Sequence, residues 1–369
     1  MPSRAQPERF GEYSGLTVRP QVLTAGKSPD GPAAFATCPK PTYASPGRDY
    51  RMPHGDSSSD LFGSTPVAEL ATPGSYGIAP PSFRLPSAAR LGTAHLQVAD
   101  LGRSIAFYVD LLGFREIDRQ ATRAALGAQG SDRILIELQE RSGARPVGRG
   151  ARLGLFHVAI LLPDRAALGR FLAHMRERGV PLGAGDHLVS EALYLSDPDG
   201  LGLEIYADRP RTSWHRLGRE LMLATDAVDL PGLLLSGAGA PWTGMPAHTT
   251  IGHVHLHVGD LARASTFFSD ALGFDRMTWR YPGALFLGAG GYHHHLGANT
   301  WAGPGATPPG DGDAQLLAWT IELPDDEDVS SAAASLLAGD FTAEPREGGA
   351  VHTRDPWGTA VHLKPTATR

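Results

Sequence analysis

Histidine and glutamate, not cysteine, must carry any metal chemistry in this sequence. It holds 15 histidines and one cysteine, Cys38. One cysteine cannot close an internal disulfide, a zinc ribbon or a cysteine-ligated cluster, so a metal has to be held by His, Asp or Glu. His253, His255 and His257 alternate, which on a strand places them on one face. Three more histidines are adjacent in Gly291-Tyr292-His293-His294-His295-Leu296-Gly297. Read as a strand, this run puts His293 and His295 on one face and His294 on the other. Glu204 lies in Leu201-Gly202-Leu203-Glu204-Ile205-Tyr206, an otherwise apolar strand. A buried carboxylate without a partner is costly, and a metal is the better explanation for it. Other chemistries lack their residues: there is no phosphate loop, no dinucleotide fingerprint and no serine nucleophile elbow.

These residues sit on a repeat. Asp100-Leu101-Gly102-Arg103 through Asp110-Leu111-Leu112-Gly113-Phe114 recurs as Asp260-Leu261-Ala262-Arg263 through Asp270-Ala271-Leu272-Gly273-Phe274, 160 residues later. Each copy offers a capping Asp, apolar residues at helical spacing and a terminating Gly. Each follows an alternating strand, Thr93–Val98 or His253–Val258. A second pair matches Leu162-Pro163-Asp164 with Leu323-Pro324-Asp325, and Asp197-Pro198-Asp199-Gly200 with Asp355-Pro356-Trp357-Gly358. The Asp-Pro-X-Gly stretches read as hairpin turns, so Asp197 and Asp199 are turn residues before they are a cation site. The pattern gives four units, near 91–139, 153–207, 251–301 and 316–363, each a strand, a helix and several strands.

The expected organisation follows. Residues 1–90 are rich in Pro, Gly and Ser without periodicity, and read as a disordered arm that contains Cys38. Residues 91–207 form a first domain of modules one and two. Residues 208–249 are a linker with a helix around Arg216–Leu223, and 250–365 form a second domain of modules three and four. The net charge of −6 argues against a bulk electrostatic grip on nucleic acid or an anionic membrane. The longest apolar runs are near ten residues, too short to span a bilayer. No basic patch precedes an apolar stretch at the N-terminus, so a cytoplasmic protein is expected.

Four βαβββ units with these signatures resemble the vicinal oxygen chelate superfamily, which includes glyoxalase I, bleomycin-resistance proteins and extradiol dioxygenases. The stretches from Ala159 to Arg211 and from Gly252 to Gly303 are similar to the catechol 2,3-dioxygenase group of bacterial proteins. The resemblance covers about 91–363. It implies an α+β fold in which modules pair into two open barrels with the metal inside one of them.

The superfamily template places one ligand seven residues before the helix-capping Asp, and another four residues after the hairpin Gly. Applied here, the first rule selects His157 and His253, but Thr93 and Ala318 in modules one and four. The second selects Glu204, His295 and His362. The resemblance therefore implies a metal site between modules two and three, with the other barrel degenerate. A rival pairing of modules one and two would use His95.

His157, His253 and Glu204 then make the facial triad that suits Fe(II), with Mn(II) able to substitute. The implied reaction is extradiol cleavage of catechol or a substituted catechol by O2. His295 would be an acid/base. His187 and Tyr194 would hydrogen-bond the substrate oxygens, and His255, His293 and Asn299 would wall the cavity. A glyoxalase-type isomerase or lyase, with His295 as a fourth ligand, is a second reading, and a non-enzymatic small-molecule binder a third. Such folds are compatible with homo-oligomers.

Overall fold

A computed structural model describes residues 56–62, 68–148 and 152–366. Cys38 and most of the N-terminal arm lie outside the described residues. Module one contains β1 (Arg90–Val98), α1 (Leu101–Ile105), β2 (Arg115–Arg119), β3 (Arg123–Gly127) and β4 (Ile134–Glu140). Module two contains β5 (Gly154–Leu161), α2 (Arg165–Glu177), β6 (Gly183–Asp186), β7 (Ser190–Ser196) and β8 (Gly202–Asp208). A linker helix, α3 (Leu230–Ser236), precedes module three: β9 (Thr250–His257), α4 (Leu261–Ser265), β10 (Asp275–Thr278), β11 (Ala284–Gly288) and β12 (Leu296–Asn299). Module four contains β13 (Gln315–Leu323), α5 (Asp326–Ala338), β14 (Glu344–Pro345), β15 (Val351–Arg354) and β16 (Ala360–Pro365).

The four capping aspartates act as their spacing predicts. Asp100, Asp164, Asp260 and Asp325 accept from the backbone N–H three residues on, at 2.9, 2.7, 2.7 and 2.9 Å. The helices of modules one and three then widen into a π-helical turn, over Ala106–Leu111 and Thr266–Ala271.

Beside a small sheet of Glu69–Leu70, His215–Leu217 and Glu220–Leu221, the strands of the four modules form two eight-stranded sheets. Their orders are β10-β11-β12-β9-β5-β8-β7-β6 and β14-β15-β16-β13-β1-β4-β3-β2. Each sheet joins one module from each half of the chain, two with three and one with four. The seams are the antiparallel pairs β9/β5 and β13/β1. The sheets thus run across the halves expected as domains, 91–207 and 250–365, and modules one and two share no sheet. One apolar core draws on all four modules, including Leu96, Phe171, Phe268 and Trp319.

Two expectations change outside the modules. Residues 68–90 are not a loose arm: Tyr76 and Leu85 are buried, and Arg84 makes a two-pronged ion pair with Asp275, both contacts at 2.7 Å. The helix expected around Arg216–Leu223 is instead a hairpin of His215–Leu217 with Glu220–Leu221. Gly218, at φ +63°, turns the chain there, a conformation that breaks a helix.

The Asp197–Gly200 hairpin turn anchors module two to module one. Asp197 Oδ1 accepts from the N–H groups of Asp199 and Leu201, and Tyr108 OH of module one lies 3.3 Å from Asp197 Oδ2. Arg103 of module one donates to Asp199 at 2.5 Å. Burial, and then the neighbouring Asp199, push the Asp197 carboxyl up from 3.8 to about 7. Between those values the folded chain keeps a proton that the unfolded chain has released. Stability must therefore fall as pH rises through that window, by about 1.4 kcal/mol per pH unit. Asp197→Asn preserves the acceptor for both N–H groups and should flatten this dependence. Urea denaturation at several pH values between 5 and 8 checks it: equal slopes in the two proteins would contradict the assignment.

Candidate metal centre

His157, Glu204 and His253 come from β5, β8 and β9, three adjacent strands at the middle of one sheet. Glu204 Oε2 lies 2.9 Å from His157 Nε2 and 3.1 Å from His253 Nε2, and the two Nε2 atoms are 3.3 Å apart. All three side chains are buried, Glu204 being 2% exposed. Parallel pairing of β5 with β8 sets Glu204 level with Ala159, two residues beyond His157. That approach needs Gly202, where a Cβ would meet the Phe156 carbonyl oxygen at 1.9 Å.

The trio has the chemistry of a divalent-metal site. Among the described residues it is the one group of three or more His, Cys, Asp or Glu whose ligand atoms all lie within 4.8 Å of each other. Glu204 Oε1 is buried without a hydrogen-bond partner, as is His253 Nδ1. An unpartnered buried carboxylate oxygen is costly, and a cation removes the cost. Burial works to raise the Glu204 carboxyl, but His253 and His157 beside it hold it well below the usual range. Burial pushes both imidazoles down, against the pull of Glu204. An ionised carboxylate and neutral imidazoles are the forms that bind metal.

The histidine run departs from the expected strand. Residues 290–295 stay in a turn that starts with Gly290 and Gly291 at φ +59° and +70°, and β12 begins only at Leu296. The alternation assumed for 291–297 therefore does not apply. His294, not His295, lines the cavity beside the trio, its ring centroid 4.1 Å from that of His253. His295 lies with Phe274 and Tyr292, its Nδ1 accepting from Ala289 N–H at 3.2 Å. Burial and then His293 push it down to about 3. Register explains why counting from the turn glycine misplaces it. The residue of β12 equivalent to Glu204 is Gly297, which pairs with His255, two residues beyond His253. A Cβ there would strike the His255 ring at 2.8 Å. The paired glycines at 290 and 291 were the sequence signal for this turn.

Other predicted residues fall in two groups. His187 and Tyr194 both face the cavity and bond each other at 2.5 Å. His187 Nδ1 donates to the Ala224 carbonyl at 2.7 Å, so in its neutral form Nε2 accepts from the Tyr194 hydroxyl. His255 lines the cavity too. Asn299 stands behind it, donating from Nδ2 to His255 Nε2 at 3.0 Å and accepting from His257 Nδ1 at 2.6 Å. His293 is fully buried behind His294 and bonded to Asp208. The linker adds Leu223 and Thr225 to the wall, and module three adds Tyr281 and Phe286, none of which stood out in the sequence. The open space is about 40 Å³.

The second barrel lacks a convergent set. His95 pairs across β1 and β4 with Glu137, which takes the register of Glu204, but its Nδ1 is 4.0 Å from that carboxylate. Thr93 and Ala318 occupy the histidine positions. His362 stacks on His352 at 3.7 Å. A larger cavity of about 640 Å³ opens behind Gly290 and Gly291, bounded in part by Tyr76, Arg84, Arg211 and Asp275. Its Arg84 and Asp275 are engaged with each other, and none of the trio reaches it.

One family model and several known proteins match the chain. The model of the family described as Glyoxalase/Bleomycin resistance protein/Dioxygenase superfamily matches residues 90–205 and 250–363. A Bacillus subtilis (strain 168) protein named catechol-2,3-dioxygenase is 44% identical over 270 residues, spanning 72% of this chain and 93% of its own. The crystal structure of a candidate dioxygenase from Bacillus subtilis subsp. subtilis str. 168 superposes with a TM-score of 0.54 at 14% identity, over 78% of this chain and 87% of that one. Glyoxalase I from Zea mays aligns with a TM-score of 0.46 at 18% identity, over 75% of this chain and 92% of its own.

Proposed function

The chain belongs to the Glyoxalase/Bleomycin resistance protein/Dioxygenase superfamily, and from that membership we propose that it is an Fe(II)-dependent extradiol dioxygenase acting on catechol or a substituted catechol. The observation that carries the reading is the buried His157–Glu204–His253 trio opening onto a cavity lined by His187, Tyr194 and His294. His157, Glu204 and His253 would hold the metal, a three-ligand set that suits the binding of a diol and O2 beside it. When bound, Fe(II) supplies a Lewis acid and a path for electrons between ring and O2.

The chain's own residues handle position and protons. Tyr194 directs its hydroxyl proton to His187 Nε2, which turns its oxygen lone pairs to the cavity. A substrate hydroxyl donating to Tyr194 is thereby linked to His187, whose own Nδ1 proton is donated to the Ala224 carbonyl. This is a two-step outlet for the proton that a diol loses on binding. Phe286, Tyr281 and Trp301 give the cavity apolar walls that suit an aromatic ring. Its 40 Å³ is smaller than a benzene-sized void, so these walls must shift to admit the ring. A glyoxalase-type reaction is the weaker reading, because its fourth ligand would be His295, which faces Phe274 and Tyr292 instead.

Oxygen uptake tests the proposal. Protein loaded anaerobically with Fe(II) should consume O2 on addition of catechol or a substituted catechol and release a yellow ring-fission product. His253→Ala should do neither. Bound metal without O2 uptake across a panel of such diols would reject the dioxygenase reading and favour an isomerase or lyase.

A further inference from the structure

We infer that Asp208, acting through His293, fixes His294 in the tautomer whose bare Nε2 belongs to the metal cavity. Asp208 and His293 are positioning residues on this account, and the catalytic meaning of the device rests on the dioxygenase reading.

The inference follows from proton accounting along one hydrogen-bonded chain. Asp208, at the end of β8, accepts at Oδ1 from His293 Nε2 at 2.9 Å. An ionised carboxylate only accepts, so the proton of a neutral His293 is on Nε2. Its Nδ1 is then a lone pair, and it lies 2.7 Å from His294 Nδ1. That contact is a hydrogen bond only if His294 donates. With His293 neutral, His294 therefore carries its proton on Nδ1, and its Nε2 is an acceptor.

The opposite arrangement would aim a lone pair of His293 at the carboxylate across 2.9 Å. His293 is fully buried, so no bulk water can relieve such a clash. A second chain of donors ends on the same oxygen. Tyr292 donates to Asp208 Oδ1 at 3.2 Å, which makes Tyr206 the donor in the 2.7 Å contact between the two hydroxyls. Two chains of donors thus end on one carboxylate, one from the Tyr206 ring that packs on His253 and one from His294. A hydroxyl-bearing substrate entering the cavity would meet a nitrogen already set to accept its proton. A hydrogen bond from one ring nitrogen to a carboxylate is a general means of setting the tautomer, and so the role, of a histidine.

Long-range 1H–15N correlation spectra of the full-length, metal-free protein with 15N-labelled histidine test the inference without any turnover. His294 is assigned by the signals lost in His294→Gln. The expected result at neutral pH is a protonated Nδ1 and an unprotonated Nε2. In Asp208→Asn, whose amide can donate to His293, the His294 pattern should shift toward the opposite tautomer. With Fe(II) bound, the same variant should lose about 10²-fold in kcat with little change in KM or iron content, and Asp208→Glu should recover part of it. A His294 protonated on Nε2 in the wild-type protein, or one that does not respond to Asp208→Asn, would overturn the inference and leave the dioxygenase reading intact. The expected tautomer in a protein that cleaves no diol would uphold this device and reject the dioxygenase reading.

Discussion

Glu204→Gln is expected to yield a folded protein that no longer retains a divalent metal and no longer consumes O2. The amide has the shape of the carboxylate but not its charge, and the two imidazoles alone make a poor site for a hard cation. Stability separates this effect from simple damage. A metal at about 1,000 times its dissociation constant stabilises the native state by about 4 kcal/mol. Wild-type protein should therefore melt several degrees higher with Fe(II) or Mn(II) than without, and the variant should melt at one temperature in both conditions. In the metal-free state the variant also loses the contacts of the carboxylate with His157 and His253, so the metal-dependent shift, not the melting temperature of the metal-free protein, identifies the ligand. Calorimetry of both proteins with and without metal reads both terms. A metal-dependent shift retained in Glu204→Gln would place the ion elsewhere.

His294→Gln should keep the metal and lose about 10²- to 10⁴-fold in kcat, the usual share of a positioned acid/base. His295→Phe should stay within a few-fold of wild type. His295 does not line the cavity, and its replacement leaves the buried Ala289 N–H without its acceptor, which costs about 1–3 kcal/mol of stability. Counting along the sequence leads to the reverse ranking, so this pair of variants separates the turn from the strand. Equal losses in both, with metal intact, would contradict the placement of His294.

The difference between these two histidines marks what the sequence could and could not convey. The modules were legible because their signals are local: a capping Asp, an apolar period, a hairpin glycine. So were His157, Glu204 and His253, which sit at fixed distances from those signals on strands that do form. His294 was not, because alternation holds only where a strand exists, and two left-handed glycines keep 290–295 out of it. Residues 68–90 look like an arm by composition, yet Tyr76, Leu85 and Arg84 each have a specific partner on module three, Gly291, Gly273 and Asp275. Asp208 gave no signal in the chain, since its importance depends on a histidine 85 residues away. Pairing between modules is likewise silent in a repeat. The first strands of all four modules carry similar patterns, and only long-range register selects two with three and one with four.

That cross-pairing has a consequence for how the chain is made. When the ribosome has released modules one and two, β1 and β5 each have one bare edge, because their partners β13 and β9 have not been synthesised. At ~5–20 residues per second, the gap before the second half emerges lasts several seconds or longer. During that interval the nascent chain presents two open strand edges, and it holds His157 and Glu204 without His253. A half-length product should therefore aggregate rather than act as a weak enzyme, and the three-residue metal site is complete only after β9 has been synthesised.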